Sequence, residues 1–89
     1  MVFEFDPEKS ATNLSKHGID FVSAQLVWED PQRVEIAARS LDEPRFQVLG
    51  TIEDKVWSAF ITYRDDSIRI ISVRRSRDEE EEQYNGNQK

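Results

Sequence analysis

The hydrophobic and polar positions of this chain change period at Asp30-Pro31. Before that point they recur at helical spacing; after it they alternate. Val2 to Phe5 is a short candidate strand. Asp6 then suits a helix N-cap, and Pro7 the first helical position, where its missing N–H costs nothing. The segment EKSATNLSKH predicts a helix with Ala11 and Leu14 on its inner side, ended by Gly18 in the left-handed conformation. Asp20 is a second N-cap. FVSAQLVWE predicts a second helix, with Phe21, Ala24 and Trp28 at helical spacing and Val27 beside them. Asp30-Pro31 stops it, because a residue before proline is pushed out of the helical region.

Beyond that break the pattern is that of strands. Val34 to Ala38 is a short one, Arg39 to Pro44 a polar loop, and Arg45 to Ile52 the next strand, with a turn at Glu53-Asp54. Lys55 to Arg64 is the longest. Trp57, Ala59, Ile61 and Tyr63 share its expected core face, while Val56, Ser58, Phe60, Thr62 and Arg64 share a mixed face suited to a groove or a partner. After a turn at Asp65-Asp66, the last strand carries apolar residues on both faces. This predicts either cover on both sides or a bulge that shifts the register. Ser76-Arg77-Asp78-Glu79 matches a capping box and predicts a helix to about Tyr84, ended by Asn85-Gly86 and marginal unless docked. The expected fold is α+β, in the order β-α-α-β-β-β-β-α. It consists of a small antiparallel sheet with two N-terminal helices on one face and a short C-terminal helix.

Eighty-nine residues make one domain, residues 1–89, with no room for a second core. The chain has no cysteine and one histidine, which excludes disulfides, thiolate metal sites and multi-histidine sites. It shows no evident signal peptide or membrane span, so cytoplasm is the expected location. The net charge of −6 argues against non-specific nucleic-acid binding by the whole surface. That charge is uneven, however. Asp78 to Glu82 is a run of five acids, ordinarily a solvated face, and it directly follows a basic segment.

The basic segment is Tyr63 to Arg77. It holds Arg64, Arg69, Arg74, Arg75 and Arg77, five of the twelve basic residues. Arginines gathered at a sheet edge can grip phosphate in a fork, or can simply pair with neighbouring acids. His17 ends a predicted helix, next to Lys16. It is first a cap for the last carbonyls and, against that, a candidate for proton transfer. Glu43 and Arg45 flank Pro44 as a possible base and phosphate clamp, or as an ordinary surface pair. No glycine-rich phosphate loop, cysteine nucleophile or serine elbow is present, and no acid spacing supports a two-metal site. The remaining chemistry is metal-free handling of a phosphodiester. It needs cations, for which arginine serves, and a base and an acid, for which His17, Glu43, Tyr63 and Tyr84 are candidates.

FEFDPEKSATNLSKHGIDF, residues 3–21, resembles the opening of the BrnT toxins: F-x-W/F-D-x-x-K, N-x-x-K-H-G, then an aromatic. EPRFQVLG resembles that family's E-x-R-aromatic segment. RIISVRRSRDEEEEQY resembles its R-I-I-S-A-R-x-A run with a following acidic helix and tyrosine; Val73 and Ser76 stand where alanines are usual. The resemblance implies the toxin half of a type II toxin–antitoxin pair, with a fold similar to RelE-like ribonucleases, that cleaves RNA and inhibits translation without a cofactor. The implied partner is a BrnA-like ribbon-helix-helix antitoxin, two copies with two toxins, through which alone DNA is contacted. The implied catalytic residues are Arg64 and Arg74 with Glu43, His17 and Tyr84, and Lys16, Arg45, Arg69, Arg75 and Arg77 are expected to bind RNA. The alternative is a catalytically weak or inactive module that only binds an antitoxin.

Overall fold

A computed structural model describes residues 1–86 of the chain. β1 (Val2–Glu4) leads into α1 (Pro7–His17), and a 3-10 helix covers Ser23–Glu29. Four strands follow, β2 (Val34–Ala38), β3 (Arg45–Ile52), β4 (Lys55–Arg64) and β5 (Ser67–Arg75), and then α2 (Asp78–Gly86). The sheet order is β1-β5-β4-β3-β2. β2 to β5 form an antiparallel meander, but β1 joins β5 in parallel, Val2 opposite Ser67 and Glu4 opposite Arg69. The sheet is therefore mixed, and the expectation of a purely antiparallel sheet is corrected.

The expectation of two N-terminal α-helices packed on one sheet face is also corrected. Only α1 is α-helical, and the second segment winds as a 3-10 helix. Phe21, Ala24 and Val27 are fully buried and spaced by three residues, the repeat that lines one side of a 3-10 turn. Asp20 accepts from the Ser23 backbone N–H at 2.7 Å but stands ahead of the 3-10 helix, whose cap position is Val22 with no side-chain cap bond. Gly50 of β3 lets this helix approach closely: a Cβ there would lie 2.8 Å from Val27 Cγ1.

α1 begins at Asp6, whose carboxylate accepts from the Glu8 N–H, and ends at Gly18 with φ 76°. Its buried face is not Ala11 and Leu14, as expected, but Ser10 and Asn13; Leu14 is half exposed. The reason is its neighbour. β1 covers only the first three residues of β5, and α1 stands beside the rest of that strand. A strand edge needs polar partners. Asn13 supplies them: its Nδ2 donates to the Val73 carbonyl, and its Oδ1 accepts from the Val73 N–H. The same Nδ2 reaches the Ile19 carbonyl, and Ser10 Oγ accepts from the Phe21 N–H.

Both faces of the sheet are covered in part. On one, Val48, Ala59, Ile61, Ile70 and Val73 pack with Phe21, Val27 and Trp28, and Phe3 and Phe5 meet Trp28 and Phe21 edge-to-face. Of the expected core face of β4, Trp57, Ala59 and Ile61 join this cluster, whereas Tyr63 is exposed. On the other, Leu49, Val56 and Tyr84 form a smaller cluster with Val34 and Ile36 beneath α2. A bulge lies in β5, since Phe60 pairs with Ser72 but the next residue, Ile61, pairs with Ile70. Ile71 is the extra residue. It explains why Ile68 and Ile70 point to the larger core and Val73 does so again one step out of phase.

Candidate functional site

Strand alternation and register put Arg45, Arg64, Arg69 and Arg74 on the face that carries α2. α2 covers the Val56–Ser58 end and leaves the rest of that face open. There a shallow groove of about 490 Å³ runs over Phe60, walled by Arg39, Arg45, Gln47, Ile71 and Ser72. Among the described residues, Arg39 and Arg45 form no ion pair. Of the mixed face expected from the sequence of β4, only Phe60 lines this groove; Val56 and Ser58 lie beneath α2, and Thr62 is buried against the Pro44 carbonyl.

At the α2 end stands Arg74. Its Nη1 and Nη2 donate to the two carboxylate oxygens of Glu80 at 2.8 and 2.9 Å, and Nη1 also donates to the Arg75 carbonyl at 3.2 Å. The guanidinium carbon lies 5.2 Å from the centroid of the Phe60 ring. Glu80 is itself gripped from other sides. The Arg77 N–H and Gln47 Nε2 donate to it at 2.7 Å each, and Ser58 Oγ lies 3.4 Å away. Ser58 in turn meets Gln47 and Ser76. The hydrogen bond from Arg74, helped by those of Arg77 and Gln47, pulls the Glu80 carboxyl down to about 2, and the same bond raises Arg74. Five acids in a row did not read as a site, and Glu80 is the one among them that the fold turns inward. Sequence reasoning missed it. The available signal was its i, i+4 relation to Tyr84, which puts both on the inner face of α2.

At the opposite end stands Arg64, with Nη2 3.3 Å from Glu43 Oε1. This pair is single and open, with side chains 49% and 38% exposed, against 23% and 14% for Arg74 and Glu80. Ser58 pairs with Arg74, and Arg64 lies six positions further along β4 on the same face. That sets the two arginines roughly 20 Å apart at about 3.3 Å per residue. The bulge in β5 moves Arg74 from opposite Trp57 to opposite Ser58, one position closer and onto the face of Arg64.

The remaining candidates are dispersed. His17 and Lys16 line a second depression that shares Ile71 and Ser72 with the groove, so the end of α1 opens on it from beyond the bulge. Arg69 pairs with Glu4 at 2.9 Å. Arg75 lies over Trp57 on the other face, 5.6 Å from its centroid. Arg77 is exposed and caps α2; Glu80 folds back to its N–H, while Ser76, the expected cap, turns to Ser58 instead. Tyr63 donates to Glu35 at 2.5 Å, and burial with that bond pushes its phenol up to about 12. Tyr84 is buried, and its hydroxyl donates to Asp30 Oδ2 at 2.5 Å. Burial, then that bond, raises it. Burial pushes Asp30 up, but the bonds from Tyr84 and Thr51 outweigh this and hold it below the ordinary range.

Among the described residues, no three histidine, aspartate or glutamate side chains gather where they could hold a metal ion, and no helix is long and apolar enough to cross a membrane. No curated protein matches the chain. Residues 5–80 match the family described as ribonuclease toxin, BrnT, of type II toxin-antitoxin systems; the match spans most of the sequence, and this chain therefore belongs to the BrnT family of ribonuclease toxins.

Proposed function

We propose that this toxin cleaves RNA by attack of a 2′-hydroxyl on the adjacent phosphate, without a metal ion, and thereby inhibits translation. The carrying observation is the Arg74 guanidinium, held beside the open groove over Phe60. Attack by the deprotonated 2′-oxygen turns the singly charged diester into a phosphorane with two negative charges on its equatorial oxygens, and a fixed guanidinium is suited to the added charge. Phe60 and the groove floor accept an unstacked base. Arg39 and Arg45 guide the backbone toward Arg64, which binds a flanking phosphate. His17, beyond Ile71 and Ser72, supplies an imidazole for proton transfer near Arg74, whereas Glu43, six strand positions away, orients Arg64 on the flanking phosphate. Lys16, Arg69, Arg75 and Arg77 add sequence-independent attraction for RNA, and Tyr84 serves by holding α2, and with it Glu80, in place.

The test is cleavage of RNA by the purified protein with and without EDTA, with analysis of the product ends. Attack by the 2′-hydroxyl forms a new O–P bond and breaks the bond to the 5′-oxygen. It leaves a 2′,3′-cyclic phosphate and a 5′-hydroxyl, and EDTA has no effect. Loss of cleavage in EDTA, with 3′-hydroxyl and 5′-phosphate ends, overturns the reading.

The antitoxin partner of this type II toxin we take to be a BrnA-like ribbon-helix-helix protein, assembled two with two and covering the groove face. Arg39 and Arg45, which form no ion pair among the described residues, and the apolar Phe60 support that footprint. Co-expression with a neighbouring gene for a small DNA-binding protein, followed by size exclusion, should yield one complex in which the groove is protected; separate elution counts against it. One observation favours the alternative of a non-catalytic module: both Arg64 and Arg74 already hold carboxylates. The cleavage assay separates the two.

A further inference from the structure

Glu80 neutralises the arginine that the cleavage reading needs most, yet it does so on one side only. A guanidinium carries five N–H donors. Arg74 spends two on Glu80 and one on the Arg75 carbonyl. The Nε–H and one hydrogen of Nη2 have no partner among the described residues. The Glu80 carboxylate cannot swing away without stranding the Arg77 N–H and breaking the bond from Gln47 Nε2. α2, in turn, is anchored by buried Tyr84 one turn further on.

We infer that Glu80 is a positioning residue for RNA cleavage: it fixes one edge of the Arg74 guanidinium so that the remaining donors form a preset fork for the phosphate lying over Phe60. This rests on the reading of Arg74 as the phosphate clamp. It assigns to the acidic run a part in the reaction that its charge alone opposes. An unheld arginine still attracts RNA, because its charge remains, but it loses its aim. The signature is therefore a split between chemistry and binding.

The experiment is a double-mutant cycle of Glu80→Gln and Arg74→Lys. Single-turnover cleavage and RNA binding across salt are measured on each full-length variant, with the folded fraction followed by circular dichroism. Glu80→Gln should slow cleavage by about 10- to 100-fold, the scale of a misplaced catalytic group. RNA binding should stay equal or tighten, because one negative charge is gone. Lysine has no fork to aim, so in the Arg74→Lys background Glu80→Gln should change the rate by less than about twofold. If Glu80→Gln folds poorly, Glu80→Asp keeps the carboxylate near the Arg77 N–H but falls a methylene short of the fork, and should show the same slowed rate. Arg74→Lys cleaving like the unaltered protein overturns the clamp reading and this inference with it. A slow Arg74→Lys beside a fully active Glu80→Gln, or an equal Glu80→Gln loss in both backgrounds, overturns the inference and leaves the clamp reading standing.

Discussion

Arg64 and Arg74 offer a comparison within one face of one sheet. Each meets a glutamate, and the two lie on the same line of side chains about β4. At Arg64 the contact is single, 3.3 Å long and open to water. At Arg74 it is twofold, 2.8 and 2.9 Å long, and its glutamate is held by donors from β3 and from the start of α2. The difference lies not in residue type but in what stands behind the carboxylate. Glu43 sits next to Pro44 at the end of a polar loop. Glu80 sits on a helix pinned to the sheet. A strand end can bind a phosphate, but a position backed by a helix can also hold a cation still. Preorganisation of this kind is what stabilises charge that appears only in a transition state.

The comparison can be broken from either side. The largest effect on stability is expected at Glu80→Ala, which strands a largely buried guanidinium together with the Arg77 N–H and Gln47. It should cost about 2–4 kcal/mol in denaturant unfolding, the scale for breaking a buried pair from one side. Tyr84→Phe should cost about 1–2 kcal/mol, since a buried hydrogen bond to a carboxylate is lost while Thr51 still serves Asp30. Glu43→Ala, at the open station, should stay within about 1 kcal/mol of the unaltered protein. Equal losses at Glu80 and Glu43 would erase the distinction.

Acid sharpens the same contrast. The Glu80 carboxyl titrates at about 2 in the folded protein against an ordinary 4.5. Its contribution to stability is thus complete above pH 4.5 and is lost as the pH falls toward 2. Glu80→Gln should flatten that acid limb of the unfolding curve, and Glu43→Gln should leave it in place.

Much of this was legible in the sequence, and what was not has identifiable causes. Alternation gave β2, β3 and β4 with their observed ends, and Asp6 and Gly18 gave those of α1. The doubled apolar pattern of β5 offered cover on both faces or a bulge, and both are present. A three-residue β1 carries no mark of its partner, so its parallel pairing with β5 was invisible. Phe21, Ala24 and Val27 already showed a spacing of three, but Trp28 drew the pattern toward an α-helix. The inner face of α1 was sought among apolar residues, whereas a strand edge calls for Asn13 and Ser10. The Asp65-Asp66 turn sets Arg64 opposite Ser67, but it takes the bulge to bring Arg74 opposite Ser58 on the same face. Which of five adjacent acids would face Arg74 depended on how α2 docks, and that is decided by Tyr84 in three dimensions.

The most direct measurement is single-turnover RNA cleavage by Arg64→Ala and Arg74→Ala in parallel, with RNA affinity determined for both. Arg74→Ala should cut the rate of the chemical step by ~100-fold or more. Arg64→Ala should keep most of that rate while weakening binding and lowering its salt dependence by about one phosphate contact. Rates lost equally in both variants, lost only in Arg64→Ala, or lost in neither while both remain folded, would contradict the account.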